Sequence, residues 1–262
     1  MRLWVPYHPE VVELFGQAGW LHLYEGVDGL PEIAGGRFRT TAPNVLPLHR
    51  VAEVAERHGP RFSLLATSTA PELTPRAIEL FRLLDANRCG LTVASLELAV
   101  RVKDRLPDLE LRASCIMSLF TPFRAILDSP LFRSIAGPQY WNYDLDRMRD
   151  AVPQEHRRRV SYIVNSACRW DGDPEACDSR ICRSHYEEVT RLLVEGSDEL
   201  MIPDGCAALL RTCSAREALA NVLKLRARGF ASFKLQGRSV PGQPDPRVTD
   251  VLAGLQTLGL VG

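Results

Sequence analysis

The chain has 262 residues, and its 32 basic and 32 acidic side chains cancel. A neutral balance gives no overall electrostatic footprint for nucleic acid, although a local basic patch can hide within it. No stretch approaches the roughly 20 consecutive apolar residues that a bilayer span needs, and the N-terminus enters a patterned segment without signal-peptide anatomy. These features point to a cytoplasmic chain with no membrane span, in a compartment where thiols stay reduced and stable disulfides are rare.

From end to end, short apolar runs alternate with longer amphipathic ones. A strand over 3–7 leads to a helix over 9–18, and a strand over 20–25 to a helix over 46–58. The pattern continues with strand 61–67 and helix 74–84, strand 90–94 and helix 95–106, then strand 109–114 and helix 121–128. Strand 139–144 precedes helix 145–151, strand 160–165 precedes helix 186–195, and helix 214–228 precedes strand 231–236. Helix-boundary chemistry supports several of these. Thr74 and Pro75 form a cap followed by a proline at the first helical position. Ser214 and Glu217 have capping-box spacing, and Gly229 stands where a left-handed residue closes a helix. A proline- and glycine-rich stretch over 239–246 begins a flexible C-terminal tail, followed by a short closing helix around 247–258.

Repeated βα units imply a parallel sheet, and eight strands in this length imply one closed α/β domain over 1–262, a (β/α)8 TIM-like barrel. An open, doubly wound sheet is the structural rival. In a barrel, function sits at the C-terminal ends of the strands. Those ends carry Tyr24-Glu25-Gly26, Thr67, Ser114-Cys115, Asn142-Tyr143-Asp144, Asn165 through Cys168, and Lys234 through Arg238.

Three of the seven cysteines, Cys168, Cys177 and Cys182, share a polar stretch that starts where a strand ends and stops near His185-Tyr186, where a helix begins. Gly172, Pro174 and their acidic neighbours cannot build a core, and compact domains rarely keep structureless loops of this length without a functional reason. Thiolates in a reducing compartment point to zinc or to an iron–sulfur cluster. Ribbon-type zinc sites use tight Cys-x-x-Cys knuckles, which the sequence lacks, so zinc is the alternative and a cluster the preferred reading. A cubane needs a fourth thiolate, from Cys206 or Cys213. Cys89 and Cys115, amid apolar neighbours, read as buried structural residues. His185 reads as a residue supporting the loop rather than a ligand.

Two stretches carry a resemblance. Gly229-Phe-Ala-Ser-Phe-Lys234-Leu-Gln-Gly237-Arg238 is similar to the Gly-x-x-x-x-Lys-Ile-Glu-Gly-Arg signature of the collagenase-like peptidases (peptidase family U, number thirty-two), which include the paired UbiU/UbiV-like iron–sulfur proteins and several RNA hydroxylation proteins. Val164-Asn165-Ser-Ala-Cys168, with the cysteines after it, looks like that family's cysteine region, and Pro203-Asp204-Gly-Cys206 sits where many members have Asp-Leu-Cys. The resemblance implies a barrel, a [4Fe–4S] cluster on Cys168, Cys177, Cys182 and Cys206, and Lys234 with Arg238 near the site. Two departures stand out. Gln236 replaces the usual glutamate, and extra residues between Cys206 and Lys234 leave Cys213 as a substitute ligand.

No Gly-x-Ser-x-Gly elbow, no His-Glu-x-x-His helix and no nucleophile–base pairing points to proteolysis. The resemblance implies instead oxygen-independent hydroxylation, or a related redox modification, of a small carboxylate-bearing or aromatic substrate. Lys234 and Arg238 would hold a carboxylate, with Asn142, Tyr143 and Asn165 orienting the substrate. The family's paired members make a non-catalytic cluster subunit, in a heterodimer with a paralogous barrel protein, the main rival. An RNA-modifying protein is a further one, disfavoured by the neutral charge.

Overall fold

A computed structural model describes residues 1–34, 45–68, 72–138, 149–165, 214–235 and 246–261. Its strands are β1 (Arg2–Pro6), β2 (Leu21–Asp28), β3 (Val45–Pro47), β4 (Phe62–Ala66), β5 (Gly90–Val93), β6 (Glu110–Ala113), β7 (Phe132–Ala136), β8 (Val160–Ile163) and β9 (Ser232–Lys234). All pairings are parallel, and the sheet closes because β1 pairs with both β2 and β9. Eight strands form the barrel, and β3 pairs only with the Gly26–Asp28 end of β2. The TIM-like (β/α)8 reading therefore holds, and the open-sheet rival fails on the β1–β9 pairing.

The helices follow the sequence expectation closely: α1 (Pro9–Phe15), α2 (Pro31–Ala34), α3 (Leu48–His58), α4 (Pro75–Ala86), α5 (Leu96–Lys103), α6 (Met117–Phe120), α7 (Phe123–Asp128), α8 (Ala215–Ala227) and α9 (Pro246–Thr257). Thr74 caps α4 by accepting from the Ala77 amide at 3.2 Å. The Ser214–Glu217 capping box is present at α8, and Gly229 adopts φ 87°. The expected helix over 186–195 and residues 239–245 lie outside the described residues, while the closing helix expected around 247–258 is α9, packed on the core through Val251 and Leu252.

Two strands differ from expectation: β3 takes residues at the start of the helix expected over 46–58, and the sixth barrel strand lies elsewhere than expected. The barrel position between β6 and β8 is filled by Phe132–Ala136, not by 139–144. The aromatic run Tyr140, Trp141 and Tyr143 carries strong β propensity. The shorter pattern after Ser129-Pro130, with Phe132 and Ile135 buried, supplies the actual strand. Asn142 and Tyr143 lie outside the described residues.

Successive residues of a strand face opposite sides of a sheet. Leu3, Leu23, Phe62, Leu64, Leu91, Leu111, Val160 and Phe233 belong to one continuous buried cluster with helix residues such as Val51, Phe81, Leu98, Val222 and Leu252. The hydrophobic core is thus the layer between barrel and helices. The other face of each strand supplies the inside of the barrel, where side chains from seven strands surround a small cavity. Barrel interiors are usually packed with branched apolar residues. Here the lining is Trp4, Tyr24, Thr92, Arg112, Ala113, Ser134, Ala136, Ser161 and Lys234 around about 30 Å³. A void of that size admits a water molecule or two.

Arg112 dictates this interior. Its guanidinium is buried, pairs with Glu110 through Nη2 at 2.7 Å, and lies 3.9 Å from the centroid of the Trp4 ring. On the neighbouring strand stands Gly90, where a Cβ would come within 2.7 Å of the guanidinium carbon. Gly90→Ala is expected to destabilise the protein by about 1–3 kcal/mol, the usual range for forcing extra volume into a packed interior. Chemical denaturation measures it, and a neutral result would show that Arg112 is free to move aside.

Candidate functional site at the C-terminal mouth of the barrel

Strand direction places Glu25, Thr67, Ser114, Asn165, Lys234 and Leu235 in or beyond the C-terminal halves of their strands, with Tyr24 at the middle of β2. Lys234, predicted from sequence, points into the barrel chamber, with Nζ 4.0 Å from the centroid of the Tyr24 ring. Tyr24 anchors this arrangement, its hydroxyl donating to the Leu235 carbonyl at 2.7 Å across the β2–β9 gap bridged by β1. Burial, with Glu25 next to it, pushes the Tyr24 phenol well above its ordinary value, so it remains a donor. Asn165 is fully buried at the end of β8. Thr67 and Ser114 are buried as well.

Glu25, one of the strand-end residues to which the sequence gives no individual role, is the acidic group buried here. It is 5% exposed. Its Oε1 accepts from the Gly26 amide at 2.8 Å, and its Oε2 has no hydrogen-bond partner among the described residues. Burial pushes its carboxyl up to about 8, against the opposing pull of the Gly26 amide and of Lys234. At neutral pH it therefore holds a proton, in the C-terminal half of β2 and within reach of the charge of Lys234. The signal in the sequence was slight: an acidic residue inside the β-patterned run from Leu21 to Val27.

Beneath this layer the chamber is neutral or cationic. Ser63 and Thr92 share a hydrogen bond of 2.7 Å between their hydroxyls. Trp4 packs between Arg112 and the imidazole of His22, whose ring lies 4.5 Å from it. Burial, then the positive charge of Arg112, pulls His22 down to about 3, so it stays neutral.

The cysteines divide. Cys89 and Cys115 are buried, as their apolar neighbours predicted. The Cys89 thiol faces the Ala55 carbonyl at 3.6 Å, and burial pushes it up to about 12, which makes it a protonated structural residue rather than a thiolate. Cys115 belongs to a small cluster with Ala94, Ile116, Ala136 and Ile163. Cys168, Cys177, Cys182, Cys206 and Cys213, with His185 and Arg238, lie outside the described residues. Among the described residues no three His, Cys, Asp or Glu side chains converge as a metal site, and no helix is long and apolar enough to cross a membrane.

The described geometry defines a barrel protein with a polar, charge-bearing interior. No protein-family model matches the chain, and no curated protein matches it. Among solved structures, it is similar to IDCase of Metarhizium anisopliae in apo form, at TM-score 0.34 and 12% identity, over 84% of this chain and 68% of that one.

The buried carboxyl makes a prediction about pH. An acid whose folded pKa lies near 8 holds its proton in the folded chain while the unfolded chain, with an ordinary value of 4.5, has released it. Its burial therefore costs nothing below about pH 4.5, costs more as pH rises toward 8, and stays constant above that. Wild-type stability should fall relative to Glu25→Gln by on the order of 1 kcal/mol per pH unit across that window. Comparing the two proteins cancels the opposite contribution of neutral His22. Parallel stability curves would show that Glu25 is ionised throughout.

Proposed function

We propose that the chain is an iron–sulfur barrel enzyme, carrying a [4Fe–4S] cluster over the C-terminal mouth beside Lys234 and Glu25. The cluster would serve oxygen-independent hydroxylation, or a related redox modification, of a small carboxylate-bearing or aromatic substrate. The observation that carries this reading is the convergence of Lys234, Tyr24, protonated Glu25 and buried Asn165 at one end of the barrel. Cys168 follows Asn165 by three residues, so chain length alone keeps it within about 11 Å of the end of β8.

The donor chemistry is selective. Cys89 is a protonated thiol and Cys115 is packed among apolar side chains, so neither suits a cluster. A cluster would take Cys168, Cys177, Cys182 and either Cys206 or Cys213, as soft thiolates do in reducing surroundings. Lys234 supplies a cation for a substrate carboxylate, and the Tyr24 ring against its ammonium steadies it. Glu25, protonated at neutral pH and close enough to feel the charge of Lys234, would serve as a proton source. Bound there, the cluster would supply electron transfer.

Anaerobic purification tests the reading. The protein should be brown and hold about four irons and four sulfides per chain. Cys→Ala changes at Cys168, Cys177 or Cys182 should bleach it, and changes at Cys89 or Cys115 should not. Of Cys206 and Cys213, only one should matter. A colourless preparation with stoichiometric zinc would contradict the proposal.

A further inference from the structure

We propose that the N-terminal face of the barrel, opposite the mouth, carries a second site for a small molecule bearing a di- or triphosphate. A cavity of about 640 Å³ opens there, among the first residues of β1, β6 and β7 and the segment leading into β8. That volume lies within the range of ordinary ligand pockets, roughly 300–1,000 Å³. Five cations line it: Arg2, Lys103, Arg133, Arg158 and Arg159.

Among the described residues none of the five forms an ion pair. Backbone carbonyls hold three of them in place instead. Arg2 Nη2 donates to the Arg158 carbonyl at 2.9 Å, Lys103 Nζ to Pro107 at 2.7 Å, and Arg159 Nη1 to Phe132 at 3.3 Å, with a further bond from Arg159 to Leu127. A carbonyl orients a cation without cancelling its charge. Arg133 and Arg158 are exposed and have no side-chain hydrogen bond among the described residues. Arg2 is half-buried; burial lowers its pKa, Glu110 works against that, and Arg133 adds a smaller opposing charge. Like charges collected in a concavity repel one another until an anion enters.

Three carboxylates also line the cavity: Asp108, Glu110 and Glu155. Glu110 is already committed to Arg112, through Nε at 2.9 Å and Nη2 at 2.7 Å. Asp108 and Glu155 are exposed and free to accept from hydroxyl or amino groups of the same ligand. Guanidinium groups present paired N–H donors that match phosphate oxygens, which favours phosphate over a single carboxylate. The cations converge on one concavity in a chain of zero net charge, which favours a small ligand over a nucleic-acid strand.

Titration calorimetry of the full chain with inorganic pyrophosphate at low salt tests the site. One saturable event per chain is expected. Arg133→Ala and Arg158→Ala should each weaken it about tenfold, which corresponds to about 1.4 kcal/mol. Arg82→Ala, the same charge change on an exposed residue of α4, should leave affinity unchanged. Pyrophosphate should also raise the melting temperature of the wild type, as a ligand of the folded state does, and not that of the Arg133→Ala/Arg158→Ala double variant. Three results would overturn the proposal: no saturable binding, equal weakening by Arg82→Ala, or binding indifferent to Arg133 and Arg158. Tight binding of a single-stranded RNA oligomer without any for pyrophosphate would also overturn it and assign the face to nucleic acid.

Discussion

The burial of Arg112 inside the barrel is the constraint from which the interior follows. A guanidinium removed from water is costly unless its charge and its N–H groups find partners. Glu110 supplies the charge, the Pro60 carbonyl lies 3.4 Å from Nη2, and the Trp4 face covers the plane. Burial lowers the Arg112 pKa, and Glu110 works against that pull. Its neighbours then have to be small or polar: Gly90 and Thr92 on one side, Ser134 on the other. An apolar filling of branched side chains, common in such barrels, has no room here.

The Arg112–Glu110–Trp4 layer also divides the molecule into two ends of different character. Above it, Lys234, Tyr24 and a protonated Glu25 gather at the ends of the strands, where the chain departs into its cysteine-rich stretch. Below it, arginines from strand starts and loops ring an open cavity. Glu110 lines that lower cavity while holding the guanidinium of the layer above.

Much of the barrel was legible because local chemistry and pattern agreed. The Thr74-Pro75 start, the Ser214–Glu217 box and Gly229 each mark a helix end that the structure confirms. The misplaced sixth barrel strand shows the limit. Aromatic residues at 140–143 outweigh the short run Phe132–Ala136 on propensity, while pairing on both edges, which no local signal reports, selects the latter. Lys234 was legible from its place at a strand end. Glu25 and Arg112 were less so, because a charged residue inside an apolar run gives no sign of which face it takes until the sheet closes. The polar interior did leave a trace, in the alternation of Thr92, Arg112, Ser134 and Ser161 with apolar neighbours.

The proposed redox chemistry requires iron over the C-terminal mouth of this barrel. An anomalous-scattering map from anaerobically grown crystals, collected on both sides of the iron absorption edge, tests it most directly. One compact iron peak held by Cys168, Cys177 and Cys182 is expected, on the Asn165 side of the mouth and facing Lys234. Iron at the N-terminal face, or a single zinc ion in its place, would contradict it.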